Sequence, residues 1–160
     1  GMWIGITGDR IHAADAVVLG LVDAFVPSEA IAALRAALIA GDDVDAAIAN
    51  DPNNFKAWHV LGRWQYEISN LNSVERGLVK LFYGGLPPAT LKQSIASFEK
   101  ARALRPEFLL NYYEMAKAYK DNDQKAKAIA YLQLMLTLPN QTEDDAAIKE
   151  KSRALIKEWE

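Results

Sequence analysis

Two stretches of this chain repeat one helical spacing, and that repetition narrows the possible folds more than any other feature. Between Leu109 and Asn140, the residues Tyr112, Met115, Ala116, Tyr119, Ala128, Leu132 and Met135 fall at the packing positions of a helix–turn–helix unit of about 34 residues. An earlier partial copy supplies Trp58, Leu61 and Gly62 on one helix, then Ser94, Phe98, Ala101 and Pro106 on the next. The offsets of 4, 7 and 12 that run from Ser94 recur from Ala128 to Leu132, Met135 and Asn140. A unit of this size cannot bury its apolar face alone, so its copies must stack, and the spacing predicts an all-α chain.

The second part of the chain therefore resembles a tetratricopeptide (TPR) array, an α-α superhelix of helical hairpins with a capping helix. More narrowly, residues 51–160 resemble the regulator of microtubule dynamics family. That likeness is carried by Leu61-Gly62-Arg63-Trp64-Gln65-Tyr66-Glu67, Val74-Glu75-Arg76, Tyr83-Gly84-Gly85-Leu86-Pro87-Pro88-Ala89-Thr90 and Leu109-Leu110-Asn111-Tyr112-Tyr113. The resemblance implies an adaptor or scaffold without catalytic machinery.

Residues 1–50 differ in kind. Thr7-Gly8-Asp9-Arg10-Ile11, Leu19-Gly20-Leu21-Val22-Asp23 and Phe25-Val26-Pro27-Ser28 join Leu- and Ala-rich segments in an order similar to the C-terminal part of crotonase-fold enzymes, the enoyl-CoA hydratase and 3-hydroxyisobutyryl-CoA hydrolase group. The family's oxyanion-hole loops and acid/base carboxylates belong to a portion with no counterpart here. The resemblance therefore implies a chimera-like fusion in which no catalytic residue is inherited.

The local signals place the helices. In the first part, Ala13 to Leu19 reads as a short helix closed by Gly20, Val22 to Val26 as extended, and Glu29 to Ala40 as a helix capped by Ser28, with Asp43 capping another through Ala49. Turn formers at Asn50-Asp51-Pro52-Asn53-Asn54 mark the joint. Helices follow from about Asn54 to Ser69, from Thr90 to Leu104, from Leu109 to Asp121, from Gln124 to Leu138, and from Thr142 or Asp145 to Glu160. Thr90 with Gln93 three residues on is a capping-box pair. Trp58 to Ser94 spans 36 positions where Tyr112 to Ala128 spans 16. The 20 extra residues hold Val74, Leu78, Leu81 and Phe82 on one helical face, so an additional amphipathic helix is expected there.

Composition excludes several functions. Hydrophobic residues make up 51% of the chain and charged residues 24%, the balance of a soluble globular protein. Asp15, Asp23 and Glu29 interrupt the most apolar stretch, so no membrane span is expected. Gly1-Met2-Trp3 lacks a basic region and cleavage site, which argues against a secretion leader, and the glycine before methionine reads as the scar of a cleaved tag. Cysteine is absent, which is compatible with a cytoplasmic location. Two bases oppose seven acids in residues 1–50, and 16 oppose 14 in residues 51–160, so neither part has the concentrated positive face that nucleic acid requires.

Candidate chemistry is sparse. His12 and His59 lack ligand-spaced carboxylates and read as helix-start or surface histidines. Asp42, Asp43 and Asp45 lack the glycine and glutamate of a calcium loop, and Gly5-Ile6-Thr7-Gly8 lacks the features of a phosphate loop. No serine has a histidine partner in a recognisable motif. No cofactor, metal or catalytic residue is expected, and the chain reads as a noncatalytic interaction module.

Among the aromatics, Trp58, Tyr112 and Tyr119 match packing positions. Trp64, Asn111, Tyr113, Lys117 and Lys120 are the expected partner-facing residues of a concave groove, where an aromatic floor and a few donors would hold a protein or peptide ligand. Val17, Val18, Leu21, Val22, Phe25 and Val26 need a covering surface, which predicts capping of the array or a homodimer. A lipid or apolar-ligand carrier roofed by the extra helix and Trp64, and a recombinant chimera without an evolved function, are the alternatives.

Overall fold

The computed structural model describes residues 44–73, 76–77 and 88–160. The chain divides into two compact units, residues 1–38 with 71–87 and residues 39–70 with 88–160. In the first unit, the described residues 73, 76 and 77 are helical, the Arg76 amide donating to the Asn72 carbonyl four residues back and its Nε to the Leu71 carbonyl. The expected elements over residues 13–40, the Asp43 cap and, apart from Arg76 and Gly77, the amphipathic helix around Val74 to Phe82 lie outside the described residues.

The second unit is all-helical among its described residues. After a helical run at 44–50 come α1 (Phe55–Ser69), α2 (Leu91–Leu104), α3 (Leu109–Asp121), α4 (Lys125–Thr137) and α5 (Asp145–Trp159). Each packs on the next in chain order, and α3 also touches α1 and α5. This is the stacked arrangement that the repeated spacing predicts.

Local chemistry sets the boundaries. Asn54 is the cap of α1, its Oδ1 accepting the Ala57 amide at 3.1 Å. At α2 the capping box closes in both directions: Thr90 Oγ1 accepts the Gln93 amide at 3.2 Å, and Gln93 Oε1 accepts the Thr90 amide at 3.0 Å. Pro106 cannot continue α2. Asp123, with φ of 58°, supplies the left-handed residue that reverses the chain between α3 and α4.

At α5 the capping differs from the expected one. Asp144 occupies the cap position without a side-chain bond, and Asp145, already helical, reaches back to accept the amides of Gln141 at 2.6 Å and Thr142 at 2.9 Å. It closes the preceding loop. Burial alone would raise the Asp145 pKa, but these two backbone donors outweigh it and hold the carboxyl below its ordinary range.

The core lies along the seams between helices. Phe98, Ala101, Met115, Ala116, Ala128, Leu132 and Met135 are fully enclosed, and Tyr112 and Tyr119 are buried as their repeat positions predict. Trp58 is only half-buried, its Nε1 donating to the Pro52 carbonyl at 2.9 Å. Ile148 and Trp159 join α5 to the same core, so α5 covers the last hairpin.

At the α1–α2 seam the backbones come close. A Cβ placed on Gly62 would stand 2.8 Å from the Phe98 ring, and Ser94 Oγ donates to the Gly62 carbonyl at 2.7 Å. Glycine therefore belongs here because of close approach, despite its cost in a helix. Gly62→Ala should gain about 1 kcal/mol of helix propensity and lose about 1–3 kcal/mol to overpacking against an enclosed ring. Chemical denaturation should show net destabilisation.

A polar knot ties α2 to α3 and α4. Glu99 Oε1 accepts the hydroxyls of Tyr119 at 2.9 Å and Tyr131 at 2.7 Å, while its Oε2 pairs with Arg102 at 2.7 Å. The two tyrosine rings stack at 5.4 Å. Burial pushes the Glu99 carboxyl up, but the hydrogen bonds from Tyr131, Arg102 and Tyr119 prevail and its pKa falls below 4.5. A lowered folded pKa means that the contribution is complete above the unfolded value and is lost as pH falls through the folded one. Glu99→Gln should cost about 1 kcal/mol at neutral pH, and thermal unfolding should show the difference from wild type shrinking below the ordinary carboxylate range.

Candidate functional site

The site begins with the way α1 and α3 lie side by side. His59 near the start of α1 meets Asn111 near the start of α3, and Tyr66 near the end of α1 meets Asp121 at the end of α3. Contacts run in the same order along both helices, so the two are parallel. They form the first members of successive hairpins and present a shared face.

At the centre of that face stands Lys117. Its ammonium lies 5.3 Å from the Tyr66 ring centroid and 5.7 Å from that of Tyr113, and it pairs with Glu114 at 2.9 Å. The side chain of Glu114 is 9% exposed and that of Lys117 is 31% exposed, so the acid is sunk while the cation remains reachable. Tyr66 donates its hydroxyl to Asp121 at 2.6 Å. Burial, then that bond, raises the tyrosine pKa well above its usual range, so Tyr66 is a neutral donor. Lys120 is exposed beside Asp121, 3.9 Å away.

The helical register explains this grouping. Tyr113, Lys117 and Lys120 follow one another at spacings of four and three on α3, and Glu114 is three residues before Lys117, so all point to one side. Trp64 is different: it is two residues before Tyr66, a rotation of about 200° around α1. It does not share the tyrosine face. Its indole Nε1 is enclosed without a hydrogen-bond partner among the described residues.

Asn111 is an interior residue. It is fully buried, its Nδ2 donating to the Phe98 carbonyl at 2.9 Å and its Oδ1 facing His59 Nδ1 at 3.0 Å. Both ends of the amide are used inside the fold, so none remains for a ligand. The Phe98 bond fixes the amide orientation, which requires His59 Nδ1 to carry the proton.

His59 is likewise no surface residue. It is buried, with its ring 4.9 Å from Phe108 and 5.6 Å from Phe98. Burial lowers its pKa below 6.5, against opposing effects from Asn111 and Glu114. Sequence reasoning placed His59 at a helix start or the surface and did not single out Glu114 or Asp121. For Glu114 and Asp121 the available signal was their helical register with Lys117. Among the described residues, no group of three or more His, Asp or Glu side chains could hold a metal.

The described residues thus form a stack of helices with an aromatic, mixed-charge face on its parallel first members. The chain belongs to the family described as regulator of microtubule dynamics protein 1-3, whose family model matches residues 31–160. The match starts ahead of the joint expected near residue 50, inside the segment with crotonase-like motifs. Regulator of microtubule dynamics protein 3 of Xenopus laevis is 36% identical over 105 residues, covering 65% of this chain and 23% of that protein. The corresponding protein 2 of Bos taurus is 31% identical over 105 residues, 65% of this chain and 26% of its own. Protein 1 of Caenorhabditis elegans is 26% identical over 115 residues, covering 72% of this chain and 51% of that protein. The chain thus spans about a quarter of the length of the first two. No helix among the described residues is long and apolar enough to cross a membrane.

Two measurements check this geometry. Asn111→Ala strands the Phe98 carbonyl and the His59 donor, so urea unfolding should register a loss of about 2–4 kcal/mol, whereas a purely ligand-facing asparagine would leave stability unchanged. The lowered His59 pKa places a stabilising contribution above the free-histidine range near 6.5 that is lost as pH falls through the folded value. The melting temperature should therefore drop between pH 7 and pH 5, and His59→Gln should flatten that drop.

Proposed function

We propose that residues 51–160 act as a noncatalytic protein-interaction module of TPR type, which receives an extended protein segment on the face shared by α1 and α3. One observation carries this reading: the half-exposed Lys117 ammonium is held between the Tyr66 and Tyr113 rings, with Glu114 beneath it. Such a site offers a fixed cation for a partner carboxylate or carbonyl and two ring edges for apolar groups. Lys120 adds a second cation at the open end. Trp64 and Asn111 are left out of the contact surface, the first by its rotation around α1 and the second by its burial.

The family membership supports a role in an assembly linked to microtubules, with the module as a protein-binding part of it. Residues 1–50, on their likeness to a crotonase C-terminal part, serve in this reading as a cap or self-association segment. Light scattering that found only monomer across micromolar concentrations would remove the homodimer.

Peptides selected by phage display against the whole chain provide the direct test. Saturable binding should weaken about 5- to 30-fold in Lys117→Ala, roughly 1–2 kcal/mol, with circular dichroism unchanged. Failure to select any saturable ligand, or equal binding by Lys117→Ala and Tyr113→Ala, would overturn the reading. Cosedimentation with polymerised tubulin tests the microtubule link separately.

A further inference from the structure

The starts of α1 and α3 are joined differently from their ends. At the ends, Tyr66 donates to Asp121 and supports Lys117. At the starts, a relay runs from His59 on α1 through Asn111 on α3 to the Phe98 carbonyl on α2. The Phe108 ring stands edge-on between Phe55, at 5.3 Å, and His59, at 4.9 Å. One titratable ring thus helps bind three helices and one wall of an aromatic sandwich.

We propose that His59 is a proton-sensitive latch: on protonation it leaves the relay, and the start of α1 swings away from α3 about the Tyr66–Asp121 contact, widening the candidate groove at one end. Nδ1 already bears a proton, because the Asn111 oxygen must accept. A second proton can add only at Nε2, placing a cation among Phe98 and Phe108 in a site closed to water. The charged groups that act on the ring are Arg63 from its own helix, which opposes the cation, and Glu114 from α3, which favours it; α2 contributes the uncharged Phe98. Asn111 cannot follow the ring outward, since its Nδ2 is held by Phe98. Rotation of His59 to solvent therefore separates α1 from both neighbours at that point.

The consequence for binding rests on the α1–α3 face being the docking surface, but the motion can be measured without any ligand. The chain has no cysteine, so paired nitroxide labels can be placed on introduced cysteines alone. Lys56→Cys with Glu107→Cys reports the start of the two helices, and Glu67→Cys with Lys120→Cys reports their end; all four positions are exposed. Between pH 7.5 and pH 5.5, electron–electron resonance should show the first distance lengthening and broadening while the second stays fixed. His59→Gln, which retains a donor for Asn111 but cannot become cationic, should abolish the change. Arg63→Ala, which lightens the penalty on a cation inside the closed fold, should weaken the lengthening at low pH, an effect that holds even if the glutamine variant folds poorly. An unchanged first distance, equal changes at both ends, or a response that persists in His59→Gln would overturn the latch. Loss of peptide binding with an intact latch would instead fault the functional reading.

Discussion

Phe98 is the point on which the stack depends. Its ring is wholly enclosed and rests against the bare backbone of Gly62, its carbonyl receives the Asn111 amide, and the ring of His59 tilts against it. Three helices are therefore referenced to one residue. A side chain at position 62 would push α1 off this ring, and every contact that α1 makes with α3 would move with it.

Polar groups at the seams define the register that apolar packing leaves open. Leu, Met and Ala surfaces can slide past one another at small cost, but a buried hydrogen bond has one good geometry and is expensive to leave unmade. Ser94 on Gly62 pins α2 to α1, Asn111 on Phe98 pins α3 to α2, and Glu99 on Tyr119 and Tyr131 ties α2 to both α3 and α4. The same logic holds Lys149 against the Leu138 carbonyl, where α5 closes the stack. Strength and specificity thus reside in different atoms of the same interface.

The candidate binding face arises where this pinning leaves polar groups partly open. Lys117 is paired yet reachable, because Glu114 is sunk below it and the two tyrosines flank it without enclosing it. Tyr66 and Asp121 hold one end of the face, and His59 with Asn111 holds the other. Burial keeps His59 neutral under ordinary conditions, which makes the acid side of neutrality the place to look for movement.

Periodicity and capping are local properties, and the sequence by itself determined what rests on them: helices beginning at Asn54 and Thr90, a stop at Pro106, a pair from about Leu109 to Asp121 and from about Gln124 to Leu138 (the second running Lys125–Thr137 in the structure), and a closing amphipathic helix. The enclosed repeat positions Ala101, Met115 and Leu132 were legible for the same reason. Which polar residues face a partner was not. Asn111 and Lys117 are both hydrophilic residues of one helix, and their spacing alone cannot say that a neighbouring helix covers the first and spares the second. Only the tertiary structure decided that, because exposure depends on the distance to residues some fifty positions away in the chain, such as His59 and Tyr66.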